Sequence, residues 1–260
     1  MNDFDDIRPF NDSEVPAALA RLIADSEMMN LLLSRQFPVL TKIFPGVFNL
    51  LARPLLRRSL RKLTKGVSTI SDFQHHMTTR LVGVLENSTD SYQFRGLDCL
   101  DPERAYLFMS NHRDIALDPA IICLGLTSAG RNTVRIAIGD NLLSKPFASD
   151  LMRVNRSFIV KRSVSGRREK LEALKNLSRY IRHSLSQEAV SIWIAQAEGR
   201  AKDGKDKTET ALLKMLALSR DSEQSFAEST GELNVIPVSI SYEYDPCDSD
   251  KACEPYAQQN

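Results

Sequence analysis

His112 stands in the stretch SNHRDIALDP (110–119), with Asp114 two residues further on and Asp118 six. A carboxylate near a histidine holds one imidazole nitrogen, fixes the tautomer and leaves the other nitrogen as a general base. Asp118 is taken as the partner and Asp114 as the alternative. The same residues also fit a loop that caps a helix, with His112 and Asp118 as hydrogen-bonded surface groups. A second stretch, SIWIAQAEGRAKDGK (191–205), sets Glu198, Gly199, Arg200 and Lys202 on a turn rich in charge and glycine. Two cations on such a turn suit an anionic phosphate, although Asp203-Gly204 alone would justify a solvated hairpin. Between the two lies RSFIVKRS (156–163), an apolar run leading into Lys161 and Arg162. An edge strand with basic gatekeepers is the plainer account of it.

These residues need a scaffold, and the hydrophobic pattern supplies one. Strands are expected at 105–110, 134–139, 158–160, 190–195 and 234–242. Helices are expected from Asp118, near 144–153, over 167–185 with Leu171, Leu174, Leu177, Tyr180, Ile181 and Leu185 on one face, and near 209–219. Strands spaced by helices imply an α/β fold, with a mixed, largely parallel sheet flanked by helices. Such folds place function where strands end, as at Ser110. The first ninety residues read as a helical region, with helices at 11–36, from Pro54, and at 71–85. The domains are therefore 1–90, helical and suited to a membrane surface, and 91–260, α/β. The chain stops 18 residues after Tyr242 at YAQQN, which leaves a longer natural chain open.

In this order the segments resemble the glycerol-3-phosphate and lysophosphatidate acyltransferase family, of the bacterial type. Its four blocks would be NHRDIALD (111–118), RSFIVKR (156–162), EGRAKDG (198–204) and VIPVSISY (235–242). Three departures accompany the match. Five residues separate His112 from Asp118 where the family has four, Arg156 stands where the family usually has glycine, and one residue is missing between Gly199 and Arg200. The resemblance implies an O-acyltransferase moving a fatty acyl group from acyl-CoA or acyl carrier protein to a hydroxyl of glycerol 3-phosphate, lysophosphatidate or a related precursor. His112 would be the base, Asp118 its orienting partner, and Glu198 a group that holds the site together. Asn111, Arg113, Arg162, Gly199, Arg200 and Lys202 would contact substrate. The thioester is a co-substrate, and no cofactor or metal is implied. Two other readings share these residues: a catalytically silent lipid-binding protein, and a thioesterase using His112 on water.

Composition narrows the setting. The chain has 260 residues, 42% hydrophobic and 26% charged, enough for a core without disulfides. Cys99, Cys123, Cys247 and Cys253 are too sparse for a disulfide framework or a zinc site. His75-His76 has no acidic or cysteine partner at ligand spacing. Trp193 is expected in the sheet core and His183 on an exposed helix face. No run of about 18 apolar residues exists, and the start MNDFDDIRPF is acidic where a signal peptide needs bases, so the expected location is cytoplasmic.

The net charge of +1 conceals a segregation. Residues 1–27 carry seven acids and two bases, whereas Met28 to Ser71 carry eight bases and no acid. From Pro54 an amphipathic helix is expected, with Leu55, Leu56, Leu60 and Leu63 on one side. Arg53, Arg57, Arg58, Arg61, Lys62 and Lys65 would meet an anionic membrane surface on its inner face, or else form the solvated face of a packed helix. No aromatic interleaving or known motif supports nucleic-acid binding.

Overall fold

Short apolar runs such as Leu107–Ser110 and Ile192–Ala195 lack polar alternation. Such runs make strands buried on both faces, which is the composition a parallel sheet requires. The computed structural model of the chain describes residues 4–43, 45–201, 205–244, 246, 248 and 253. Five helices come first: α1 (Val15–Ala24), α2 (Ser26–Gln36), α3 (Pro38–Ile43), α4 (Pro45–Leu63) and α5 (Ile70–Ser88). Then follow β1 (Leu107–Ser110), α6 (Leu117–Ser128), β2 (Arg135–Gly139), α7 (Pro146–Val154), β3 (Ser157–Val160) and α8 (Arg167–Ser186). The last elements are β4 (Ile192–Ala195), α9 (Thr210–Leu216), α10 (Phe226–Gly231) and β5 (Val235–Val238). The strands form one sheet in the order β3-β2-β4-β1-β5. The pairings of β1 with β4 and β5, and of β2 with β4, are all parallel. The sheet, expected to be mixed and largely parallel, is parallel in these pairings.

The chain divides into two compact units, one of residues 1–7, 81–137 and 160–260, the other of residues 8–80 and 138–159. In the first, β1 lies between β4 and β5 in the register Ser110↔Ala195 and Ser110↔Val238. Three strands therefore end level with one another, and the loops that follow them leave from the same edge. Pro237 has no N–H to give a ladder and sits on β5, the outer strand, where that loss is tolerated. Leu107, Phe108, Ile192, Trp193, Leu126, Tyr180, Ile181 and Leu216 are buried. Gly125 of α6 lets the helix lie against Phe94, since a Cβ there would come within 2.8 Å of that ring. The expected face of α8 is buried from Leu177 onward, whereas Leu171 and Leu174 in its first turns are exposed.

The second unit is built around Val15, Ala18, Leu19, Leu22, Val67, Ile70, Phe73 and Val154. The helix expected over 11–36 is two helices. Asp25 is extended and its carboxylate accepts the Met28 N–H, ending α1 and capping α2 at one residue. The helix expected from Pro54 begins nine residues earlier and runs through that proline. Pro54 is exposed, so the carbonyl it leaves without a partner can be solvated. Arg156 has φ 59°, the left-handed region that favours glycine. Arg156 is the position where the resemblance leads one to expect glycine.

Of the four leucines expected on one side of the basic helix, Leu55 and Leu63 are exposed. Leu56 and Leu60 are half-buried. The most exposed large apolar side chains among the described residues of this unit are Leu31, Val39, Ile43, Leu50, Leu51 and Leu55, each 53–74% exposed. They lie on α2, α3 and α4, three helices packed on one another. Arg53 donates to Asn30 Oδ1 and Arg57 to the Ala24 carbonyl at the end of α1, so these two bases turn back onto the helices. Arg58, Arg61, Lys62 and Lys65 are exposed. No helix among the described residues is long and apolar enough to cross a membrane.

Candidate active site

The site grows from the loop between β1 and α6. Asp118, in the first turn of α6, is fully buried. Its Oδ2 accepts from His112 Nδ1 at 2.9 Å, the Arg113 N–H at 2.6 Å and the Asp114 N–H at 3.0 Å. A helix N-terminus favours negative charge at this position. Burial pushes the Asp118 carboxyl up, but hydrogen bonds from His112, the Asp114 N–H, Tyr242 and the Arg113 N–H together hold it below its ordinary value. An ionised carboxylate only accepts, so Nδ1 of the neutral ring carries the proton and Nε2 keeps its lone pair.

Asp114, the alternative partner, does other work. Its Oδ1 accepts the N–H groups of Ala116 and Leu117 at 2.9 and 2.7 Å and so closes the turn into α6. Both carboxylates of the motif therefore organise one loop, but of the two it is Asp118 that bonds to the imidazole.

Because Asp118 ionises more readily in the folded chain than in the unfolded one, its contribution to stability is complete above the ordinary carboxylate range. It is lost as the pH falls through its lower folded value. Asp118→Asn is expected to be less stable near neutrality, and its melting temperature should vary less than the parent's between about pH 7 and about pH 3. Parallel curves for the two proteins would contradict this.

His112 is only 14% exposed, and its ring meets the edge of Trp193 at 5.7 Å between centroids. Trp193 is core, as expected, yet it also walls the imidazole. Its Nε1 donates to Ser110 Oγ, which donates to the Asn111 carbonyl. Asn111, expected to contact substrate, has its amide committed elsewhere: Nδ2 donates to the Ile240 carbonyl and Oδ1 accepts the Ile240 N–H, both at 2.8 Å. A buried amide facing a free strand extension satisfies that backbone first.

The loop after β4 folds back on this pair. Gly199 has φ 79°, a turn conformation that explains the glycine without a ligand. The Ala201 N–H donates to the His112 carbonyl at 2.9 Å. Glu198 Oε1 pairs with Arg162 Nη1 at 3.2 Å, and the Glu198 N–H donates to Glu209. Arg113 pairs with Asp206 at 2.7 Å. His112 lines an open cleft of about 550 Å³ together with Glu198, Arg200, Lys205, Asp206 and Lys207. The structure thus brings His112, Asp118, Glu198, Arg162 and Arg200 into one region, while Lys202 lies outside the described residues. Lys205 and Lys207 escaped the sequence reading although the run AKDGKDK carries them. Tyr242 escaped it too: its hydroxyl donates to Asp118 Oδ1 at 2.8 Å. The sequence signal for Tyr242 is its place at the end of the VIPVSISY block (235–242), just beyond the Pro237 strand. Among the described residues no group of three or more His, Cys, Asp or Glu is arranged to hold a metal.

The sequence model of the acyltransferase family matches residues 91–241, more than half of the chain. Among solved structures, the chain is similar to the 1-acyl-sn-glycerophosphate (LPA) acyltransferase PlsC from Thermotoga maritima. The two share 18% identity at a TM-score of 0.37, over 77% of this chain and 70% of that one. A search of curated protein sequences returned no match. The family match runs through the β1–α6 loop, β3 and the β4 loop to the end of the β5 segment, and on that span the chain belongs to the acyltransferase family.

Proposed function

We propose that this acyltransferase moves a fatty acyl group from a thioester, acyl-CoA or acyl carrier protein, to a hydroxyl of glycerol 3-phosphate, lysophosphatidate or a related phospholipid precursor. The observation that carries the reading is the His112–Asp118 pair at 2.9 Å beside a cleft lined by Arg200, Lys205 and Lys207. His112 Nε2 takes the proton of the acceptor hydroxyl as its oxygen attacks the thioester carbonyl. Asp118 stabilises the imidazolium that forms. When the tetrahedral adduct collapses, the C–S bond breaks and the departing thiolate takes the proton back from the imidazolium. The acyl group passes directly between substrates, and His112 ends as it began. Arg200, Lys205 and Lys207 give the acceptor phosphate its counter-charge. Glu198 holds Arg162 at the rim of the site.

The acylated product, like a lysophosphatidate acceptor, is an amphiphile, so the enzyme works at a membrane surface, proposed as the inner face. Leu31, Val39, Ile43, Leu50, Leu51 and Leu55 enter the headgroup boundary, and Arg58, Arg61, Lys62 and Lys65 meet anionic lipid. The absence of any acid from Met28 to Ser71 supports this assignment.

The test is thiol release from acyl-CoA and acyl carrier protein donors, with glycerol 3-phosphate or lysophosphatidate as acceptor and the lipid product identified. Acceptor-dependent release with an acylated product is expected. Free fatty acid as the sole product would make the protein a thioesterase. Vesicle binding without turnover of any donor would make it a silent lipid-binding protein.

A further inference from the structure

We infer that Tyr242 is a positioning residue for the His112–Asp118 pair: its hydroxyl holds the second oxygen of Asp118, and the Asn111 amide sets the strand extension that carries it. The inference rests on the reading of His112 as the base. Asp118 Oδ2 is held by three donors that all lie within six residues of it. Oδ1 receives its bond from a residue 124 positions away. The torsion that turns a carboxylate about its own axis is broad, so donors gathered on one oxygen leave that rotation soft. A donor on the other oxygen restrains it. Tyr242 is itself placed by a rigid link, because the Asn111 side chain grips both the N–H and the carbonyl of Ile240. Asn111 is the residue next to His112, so one loop presents the imidazole and clamps the strand that steadies its partner.

The phenol also shares the charge of Asp118, since a hydrogen bond to an ionised acceptor is strong. Without it, more negative charge falls on Oδ2, the Nδ1–H bond tightens and the imidazolium is favoured. The other charged groups around His112 are Arg113 and Asp114 on its own loop, and Glu198, Arg200, Lys205, Asp206, Lys207 and Glu209 along the cleft. Replacing tyrosine by phenylalanine leaves all of them in place.

The experiment follows the ring signals of the four histidines by NMR in the full chain, with His112 identified as the signal missing from His112→Ala. In Tyr242→Phe the His112 titration midpoint is expected to move to higher pH by about 0.5 unit relative to the parent. The acid limb of kcat/KM should move the same way, with kcat lower by roughly tenfold from the loosened geometry. Replacing Tyr242 with 3-fluorotyrosine, a stronger donor, should move the midpoint to lower pH, which keeps the test open if the phenylalanine variant does not fold. A midpoint unchanged in the folded variants overturns the inference, as does a loss of stability or rate with no movement of the pH profile. A moved midpoint alongside full turnover in His112→Ala would uphold the role of Tyr242 and overturn His112 as the base.

Discussion

Replacing His112 with alanine is expected to lower kcat for acyl transfer about a thousandfold, the middle of what a positioned base contributes. The alcohol of the acceptor is a poor nucleophile while it keeps its proton, and the described cleft places no second imidazole beside it. The fold should survive. Asp118 in the variant still receives the N–H groups of Arg113 and Asp114 and the hydroxyl of Tyr242, so the buried carboxylate is not abandoned. Far-ultraviolet circular dichroism and melting should therefore resemble the parent, while steady-state thiol release collapses. Asp118→Asn should also reduce kcat strongly, because an amide nitrogen facing Nδ1 favours the wrong tautomer. Turnover within threefold of the parent in His112→Ala would remove the histidine from the chemistry.

The second large effect is expected at the membrane. Leu50, Leu51 and Leu55 are each at least 65% exposed, and burying a leucine side chain is worth about 1.5–3 kcal/mol. Replacing the three with aspartate should lower binding to anionic vesicles by about a thousandfold, taking the lower end of that range for each. Exchanging Arg58, Arg61, Lys62 and Lys65 for glutamine removes about 1 kcal/mol per base near the surface. The two sets separate in salt. The basic contribution is screened as ionic strength rises, so the glutamine variant should differ from the parent at low salt and converge with it at high salt. The aspartate variant should stay detached throughout. Co-sedimentation with phosphatidylserine-containing vesicles measures both, and unchanged binding of the aspartate variant would return α2 to α4 to the role of packed helices. Since the substituted leucines are exposed, melting temperature should scarcely change, which distinguishes lost docking from lost folding.

Much of the fold was legible because its signals are local. The run of apolar residues at 192–195 is buried on both faces of a sheet wherever it pairs, and the periodicity of 167–185 makes a helix whatever packs on it. The break at Asp25 and the passage of α4 through Pro54 were missed for a related reason. Each is decided by whether one hydrogen bond finds a partner, and the partner is not part of the pattern. The exposed apolar crest was only partly placed, with Leu55 and Leu63 exposed but Leu56 and Leu60 half-buried. Helical periodicity shows which residues share a face, but only the packing of α2, α3 and α4 decides which face remains uncovered.

The sequence by itself determined the chemistry on offer: a histidine with two carboxylates within six residues, basic residues after two strands, and a basic segment without acids. These follow from residue type and short spacing, which the covalent chain dictates. The tertiary structure alone decided which carboxylate meets His112, that Asn111 is a clamp, that Lys205 and Lys207 share the cleft, and that Tyr242 completes the pair. The bonds of Asn111 and Tyr242 join residues 129 and 124 positions apart. Their meeting depends on the parallel register that levels the ends of β1, β4 and β5, and no spacing along the chain encodes that register.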